Sequence, residues 1–297
     1  MFCVVLHHQI EINMKTTITL LVSLFVSVSV FAEVPASQKN ALIKFNKSTH
    51  GDQWTSKWDF NKPVATWQGV TVINDKVVAI DLSDNNLSGT IPSQISDLAN
   101  LESLVLFKNK IEGSLPKTIG EMKSLKVLNI SFNKLSGSIP VELSNAAALT
   151  EISLFMNNLS GTIPASIGSL KNLQVLSLYN NNLTGEIPAS TYDLRSLKVL
   201  QLNSNQLTGN LSSSVANLVS LESLSLFDNK MKGQVPFDLE KLKNLTEMNI
   251  SYNNFNGVVS SKLAKKDLMN MTMVDQYGVA STLKVDMEKD KAVASEE

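Results

Sequence analysis

Four aromatic residues recur at one register of the sequence, separated by 24 or 48 residues: Phe107, Phe155, Tyr179 and Phe227. The same register carries Asn203, and neighbouring registers carry the polar residues Asn129, Glu151 and Gln201. Aromatic rings stack on apolar side chains or sugar rings, and amides and carboxylates supply hydrogen bonds that fix orientation. This set of residues therefore predicts non-covalent binding, and we treat it as the candidate site.

Residues suited to catalysis or metal binding are scarce. The chain has one cysteine, Cys3, and three histidines, of which His7 and His8 lie near the start and only His50 lies further along. No G-x-S-x-G, H-E-x-x-H, Walker loop or G-x-G-x-x-G is present. We therefore expect no enzyme activity, no cofactor and no metal. The near balance of 26 basic and 27 acidic residues also argues against a nucleic-acid partner.

The candidate residues belong to an uninterrupted repeat of 24 residues. Its core reads L-x-x-L-x-L-x-x-N-x-L-x-G-x-[IL]-P, and a period of this length with this core is typical of a stacked solenoid. We number the copies as coils 1 to 8 and count position 1 from their first residues, which are Val77, Leu101, Leu125, Leu149, Leu173, Leu197, Leu221 and Leu245.

The repeat predicts where each side chain lies. Apolar residues at positions 1, 4, 6 and 11 should point inward, and a short strand in every coil should join one parallel sheet on a concave face. Positions 3, 5 and 7 would then face solvent. Because neighbouring strands lie about 4.8 Å apart, the aromatic residues at position 7 should form a stripe about 25 Å long.

Three further columns predict backbone structure. Asparagine stands at position 9 of every coil, where its amide can satisfy turn backbone groups of its own and the adjacent coil. Glycine stands at position 13 of every coil, and proline stands at position 16 of six of them. Since proline removes a donor, the convex side should consist of loops and short helical turns.

The ends of the chain predict export and capping. Met14-Lys15 followed by the apolar residues 18–31 indicates a signal peptide at 14–32, cleaved after Ala32, with residues 1–13 a mis-called extension. We expect residues 33–76 to form an N-terminal cap in which Trp54, Trp58 and Trp67 plug the first coil. The repeats occupy 77–268, and 269–297 form a C-terminal cap and charged tail. The mature chain should have no integral membrane segment and be secreted, cell-surface or periplasmic.

Residues 41–71 resemble the N-terminal cap of extracellular leucine-rich repeat proteins, with G-D-Q-W-T at 51–55 and W-Q-G-V-T at 67–71. Ala65 and Val72 stand where the plant receptor and inhibitor branch has cysteines, so the cap looks like the cysteine-free caps of similar bacterial secreted proteins. The G-x-[IL]-P signature resembles the plant-type subclass with 24-residue repeats. That resemblance implies an α/β repeat fold, a right-handed leucine-rich repeat solenoid with a second short strand per coil.

Three binding functions follow, in order of preference. The first is recognition of a protein or peptide on the concave face. The second is binding of carbohydrate or cell-wall glycan through the aromatic row. The third is binding of an ice or crystal lattice on the convex face, which the irregular residues at position 14 weaken. Asp81, Asp84, Asp228 and Glu247 against Lys108 favour a neutral or basic ligand. The row at position 7 could instead shield neighbouring strands, and Phe132 and Tyr252 at position 8 are interpreted as packing residues.

Overall fold

The repeats build a nine-stranded sheet whose strands follow one another in sequence order. The computed structural model describes residues 33–267, 269, 271–274 and 278–286. The first two strands pair antiparallel and every later strand adds in parallel, with each residue aligned to its counterpart 24 residues on. The strands are Val70–Ile73, Lys76–Asp81, Ser103–Val105, Val127–Asn129, Glu151–Ser153, Val175–Ser177, Val199–Gln201, Ser223–Ser225 and Glu247–Asn249. The predicted solenoid with a parallel sheet is confirmed, and we call the solvent side of this sheet the concave face.

Each coil also contributes a second strand, and coils 1 to 7 each contribute a short 3-10 helix. The second strands form a parallel six-stranded sheet of Ser88–Gly89, Lys110–Gly113, Lys134–Gly137, Asn158–Thr162, Asn182–Gly185 and Gln206–Leu207, followed by the pair Lys232–Gln234 and Asn254–Asn256. The 3-10 helices of the coils are Ser93–Asp97, Lys117–Glu121, Val141–Asn145, Ala165–Ser169, Ala189–Asp193, Ser213–Asn217 and Phe237–Lys241. The short turns predicted from the proline column are thus confirmed, because five of these seven helices directly follow a proline of that column in extended conformation.

The core is one continuous stack of aliphatic side chains. Positions 1, 4, 6 and 11 are fully buried throughout coil 2, at Leu101, Leu104, Leu106 and Ile111. Equivalent residues in the other coils are buried as well, and all belong to a single cluster. Each buried aliphatic side chain contributes about 1.5–3 kcal/mol, which is how a chain with no cysteine after residue 3 builds a stable body.

The asparagine column ties each coil to the one before it. In coil 4, the Asn157 amide nitrogen donates to the carbonyls of Ile130, Leu154 and Phe155 at 3.0, 3.1 and 3.3 Å, and Asn157 Oδ1 accepts from the Leu135 N–H at 2.8 Å. The same four bonds recur at Asn181, Asn205, Asn229 and Asn253. The structural role predicted for this column is confirmed.

The N-terminal cap closes the first coil with aromatic rings. It comprises the helix Ala36–Ser48 and the 3-10 turns Gly51–Gln53 and Val64–Thr66. Trp54, Trp58 and Trp67 are 1%, 7% and 3% exposed, and their rings contact one another in sequence. These tryptophans fill the end of the solenoid, as predicted.

The C-terminal end is closed by a side chain rather than by a further coil. Between coils, the N–H at position 6 donates to a strand carbonyl of the next coil, as Leu226 does to Asn249. After coil 8 that acceptor is replaced by Asp267, which is 6% exposed and accepts from the Ile250 N–H at 2.8 Å. The same end of the chain contains the helix Ser261–Ala264. It also contains two strand pairs, Val258–Ser260 with Lys284–Asp286 and Thr272–Val274 with Ala280–Thr282.

Coil 5 breaks the core pattern on its convex side. Thr191 occupies position 19, where the other coils place isoleucine, leucine or valine, and it is fully buried. The adjacent Tyr192 is 2% exposed. The Thr191 hydroxyl has no hydrogen-bond partner among the described residues, whereas the Tyr192 hydroxyl lies near the Ser212 backbone, an interaction that acts to lower the pKa of the phenol. Burial, and to a smaller extent the nearby Glu186 carboxylate, raises the pKa of the Tyr192 phenol from 10.0 to about 12.

This phenol should make stability fall at alkaline pH. In the unfolded chain it ionises near pH 10.0 and in the folded chain only near about 12, so the free energy of unfolding drops by about 2–3 kcal/mol as pH rises through that window. Tyr192→Phe should remove this component. Urea unfolding of both proteins below and within the window measures it, and an equal alkaline loss in both would show that Tyr192 does not contribute.

Candidate binding face

Four aromatic rings form a continuous ladder across coils 2 to 5 at the edge of the concave face. Phe107 contacts Phe132 with ring centroids 5.4 Å apart, and Phe132 contacts Phe155 at 5.6 Å, both edge to face. Phe155 and Tyr179 then stack in parallel at 4.4 Å. All four rings keep exposed area, and Phe132 is 38% exposed. We call these four residues the aromatic ladder.

Phe227 does not join this ladder. Its ring instead contacts Tyr252 of coil 8 at 5.0 Å, and Tyr252 is 42% exposed. Coil 6 places Asn203 and Ser204 at the corresponding positions. The concave face therefore carries two aromatic clusters separated by one polar coil.

The backbone at position 8 explains how Phe132 and Tyr252 reach the surface. Both have positive φ, 55° and 57°, and so does position 8 of every other coil. This left-handed residue lies three residues after the end of the strand and turns its side chain to the rim, beside position 7. The interpretation of Phe132 and Tyr252 as packing residues was therefore incomplete. Other coils place polar residues such as Lys108 and Asn180 at position 8. Their polarity indicates from the sequence alone that side chains at this position face solvent.

The predicted polar residues lie on the floor of the face, and most of them contact a neighbouring side chain. Asn129 Oδ1 accepts from the Ser131 backbone N–H at 3.2 Å, and Glu151 accepts from the Ser153 hydroxyl at 2.8 Å. Gln201 Oε1 accepts from the Ser177 hydroxyl at 2.9 Å, which leaves its amide nitrogen available to a ligand. These bonds hold the floor side chains in place next to the ladder.

Two depressions adjoin the ladder. One, of about 430 Å³, lies at the rim between Phe132 and Met156 and is also lined by Asn158 and Asn180. The other, of about 270 Å³, crosses the floor from Tyr179 in coil 5 to Glu247 in coil 8, past Gln201, Asn203, Ser223, Ser225 and Asn249. We call the second depression the diagonal trough.

Charge on this face is mostly negative. Lys108 pairs with Asp84 at 3.0 Å, whereas Asp228 and Glu247 form no ion pair with any described residue. Burial raises the pKa of the Tyr179 phenol, so this ring stays neutral at physiological pH. Over the described ranges, no three His, Cys, Asp or Glu side chains converge as a metal site would require. Within the same ranges, no helix has the length and apolarity needed to span a membrane.

Comparison with known proteins identifies the repeats along most of the chain. The family described as Leucine-rich repeat region matches residues 155–295. The family described as Leucine Rich Repeat matches residues 76–98, 100–122 and 124–146. The matched segments thus include both aromatic clusters.

Three similar proteins from plants are longer than this chain. Polygalacturonase inhibitor 1 of Arabidopsis thaliana is 32% identical over 76 residues, which is 24% of this chain and 23% of the inhibitor. The ectodomain of the Arabidopsis thaliana receptor kinase GASSHO1/SCHENGEN3, solved with CASPARIAN STRIP INTEGRITY FACTOR 2, is 44% identical with a TM-score of 0.59, covering 60% of this chain and 21% of that one. The plant peptide hormone receptor RGFR1, solved with RGF2, is 33% identical with a TM-score of 0.62, covering 70% of this chain and 32% of that one.

This chain spans about a fifth to a third of the length of those three proteins. The sequence period, the two-sheet coil and these similarities make the chain a leucine-rich repeat solenoid.

Proposed function

We propose that this solenoid is a secreted, non-catalytic binding module that recognises an extended peptide segment of a protein partner on its concave face. The observation that carries the proposal is the aromatic ladder, whose rings keep exposed area although the core beneath them is already complete. Exposed aromatic clusters on folded proteins mark interaction sites. The related receptor RGFR1, described as a peptide hormone receptor, gives independent support.

The ladder suits a peptide better than a glycan. Sugar rings stack on flat aromatic faces, whereas two of the three ring contacts in the ladder are edge to face, at 74° and 83° between planes. Such an arrangement offers notches between rings, into which separate side chains fit. Phe155 and Tyr179 form the one parallel platform within the ladder, with 10° between planes, and it is the place where a glycan would stack.

Export belongs to the same proposal. The predicted signal peptide at 14–32 and the extension at 1–13 lie outside the described residues. The absence of cysteine after residue 3, with Ala65 and Val72 at the two cap positions, is the feature behind the proposed bacterial, secreted origin. Lattice binding on the convex face is not favoured, since position 14 changes from Thr90, Ser114, Ser138 and Thr162 to Glu186, Asn210 and Gln234.

Peptide and glycan arrays probed with the purified mature chain test the proposal. We expect peptide binding, reduced about 30-fold or more in Phe155→Ala/Tyr179→Ala because two central aromatic contacts are lost. Val141→Ala, an exposed residue of a convex 3-10 turn, serves as the control and should bind like the parent chain. Equal binding by the double variant would refute the ladder as the site, and glycan binding alone would establish the alternative.

A further inference from the structure

The diagonal trough differs from the ladder in chemistry. The trough has Tyr179 at one end and Glu247 at the other, and between them it is lined by amide and hydroxyl side chains together with the strand residues Leu224 and Met248. The Glu247 side chain is exposed and forms no ion pair with any described residue. Lys198, on the adjacent rim, pairs with Glu222 at 3.6 Å. The trough thus joins an aromatic end to a carboxylate that has no cationic partner in the described part of the chain.

The repeat fixes the distance between these two ends. Tyr179 and Glu247 are three coils apart, about 14 Å, and four positions apart along the strand direction, about 13 Å. The diagonal is therefore about 19 Å, which an extended peptide covers in about six residues. The amide nitrogen of Gln201 and the side chains of Asn203 and Asn249 lie between the ends, where they can bond to a peptide backbone.

Electrostatics selects the group at the far end. A carboxylate flanked by hydroxyl and amide oxygens favours a cation, and an arginine or lysine side chain on a peptide supplies one. Asp228, on the opposite rim of the neighbouring coil, adds to the negative potential of this half of the face. An acidic or hydrophobic side chain would leave Glu247 without compensation.

We propose that the diagonal trough is a specificity subsite for a basic side chain, which contacts Glu247 about six residues away from an aromatic or aliphatic residue held at Tyr179. This inference rests on the proposed function, because it assigns the charge and spacing of the peptide that the concave face binds. Its ligand class is a peptide with one apolar anchor and one arginine or lysine at that separation.

Synthetic peptides with defined spacing test the subsite. The probes are fluorescein-labelled Gly/Ser peptides that carry one tryptophan and one arginine at separations from about two to about nine residues. A matched set replaces arginine by citrulline, which keeps the shape and removes the charge. We expect anisotropy titrations to show tightest binding at a separation of about six residues, with arginine preferred over citrulline by about tenfold. The preference should shrink at high salt because the site is exposed to solvent.

Two variants separate the subsite from the ladder. Glu247→Gln should abolish the preference for arginine while leaving binding of the citrulline peptides unchanged. Glu222→Gln, which removes an exposed rim carboxylate outside the trough, should retain the preference. Equal affinity of arginine and citrulline peptides for the parent chain, or a preference that survives in Glu247→Gln, would overturn this inference alone. Unaltered binding of every peptide by Phe155→Ala/Tyr179→Ala would overturn the proposed function and this inference with it.

Discussion

Replacing Asn157 by alanine is expected to lower the free energy of unfolding by about 3 kcal/mol, because buried backbone groups lose their partners. The side chain is 6% exposed, and its amide bonds both to its own coil and to the coil before it. Without it, the buried Leu135 N–H loses its acceptor, and the Ile130 carbonyl keeps only the bond from the Asn133 amide at 3.2 Å. Urea or thermal unfolding of the purified variant measures the loss.

The adjacent Asn158 provides a control of the same residue type. It is exposed on the second strand of the same coil, so Asn158→Ala should change stability by no more than about 0.5 kcal/mol. Asn157→Asp tests whether donation matters, since it keeps the shape but turns an acceptor toward three carbonyl oxygens. If Asn157→Ala and Asn158→Ala were equally stable, the column would contribute little to holding coils together.

Replacing Asp267 by alanine should destabilise the C-terminal end of the solenoid by about 3 kcal/mol. Beyond its bond to Ile250, the carboxylate accepts from the Ser251 hydroxyl at 3.0 Å and from the Met269 and Met271 N–H groups at 3.0 and 2.9 Å. All these donors would lose their acceptor together. Asp267→Asn should also be damaging, since an amide has only one oxygen to accept these bonds.

The position of Asp267 predicts a local effect. Each coil contacts only its neighbours, so the loss should spread inward from coil 8 and spare coils 1 to 4. Hydrogen exchange should show faster exchange at 245–260 and unchanged protection at 101–106. Asp228→Asn, an exposed carboxylate without a described ion pair, should leave both segments as they are. Uniform loss of protection throughout would contradict a capping role.

Much of the fold could be predicted because its determinants repeat. A single leucine does not show whether its side chain points inward. An apolar residue at the same position of all eight coils shows which side of the strand is buried, and the asparagine column shows where the chain turns. The ends were harder to predict for the same reason. Asp267 occurs once. It accepts the hydrogen bond from the Ile250 N–H that, between other coils, a strand carbonyl of the next coil accepts.

The candidate site could be predicted only in part. The aromatic residues at position 7 could be recognised directly from the 24-residue period. The contact between Phe155 and Tyr179 follows from the spacing between neighbouring strands. Phe132 could not be assigned to the same surface without the positive φ at position 8, which turns its ring between Phe107 and Phe155. The diagonal trough depends on residues from four coils and four positions, a combination that no single column reveals.

The invariant joint between coils has a consequence for how such proteins change. Every coil from the second to the eighth presents the same asparagine bonds to the coil before it, so a whole unit of 24 residues can be gained or lost without altering either neighbour. Loss of residues 197–220 would bring Phe227 beside Tyr179 and merge the two aromatic clusters, whereas a duplication there would move them apart by about 4.8 Å. The distance between the two aromatic clusters therefore changes in steps of one coil, and it does so without any change in the residues of either cluster.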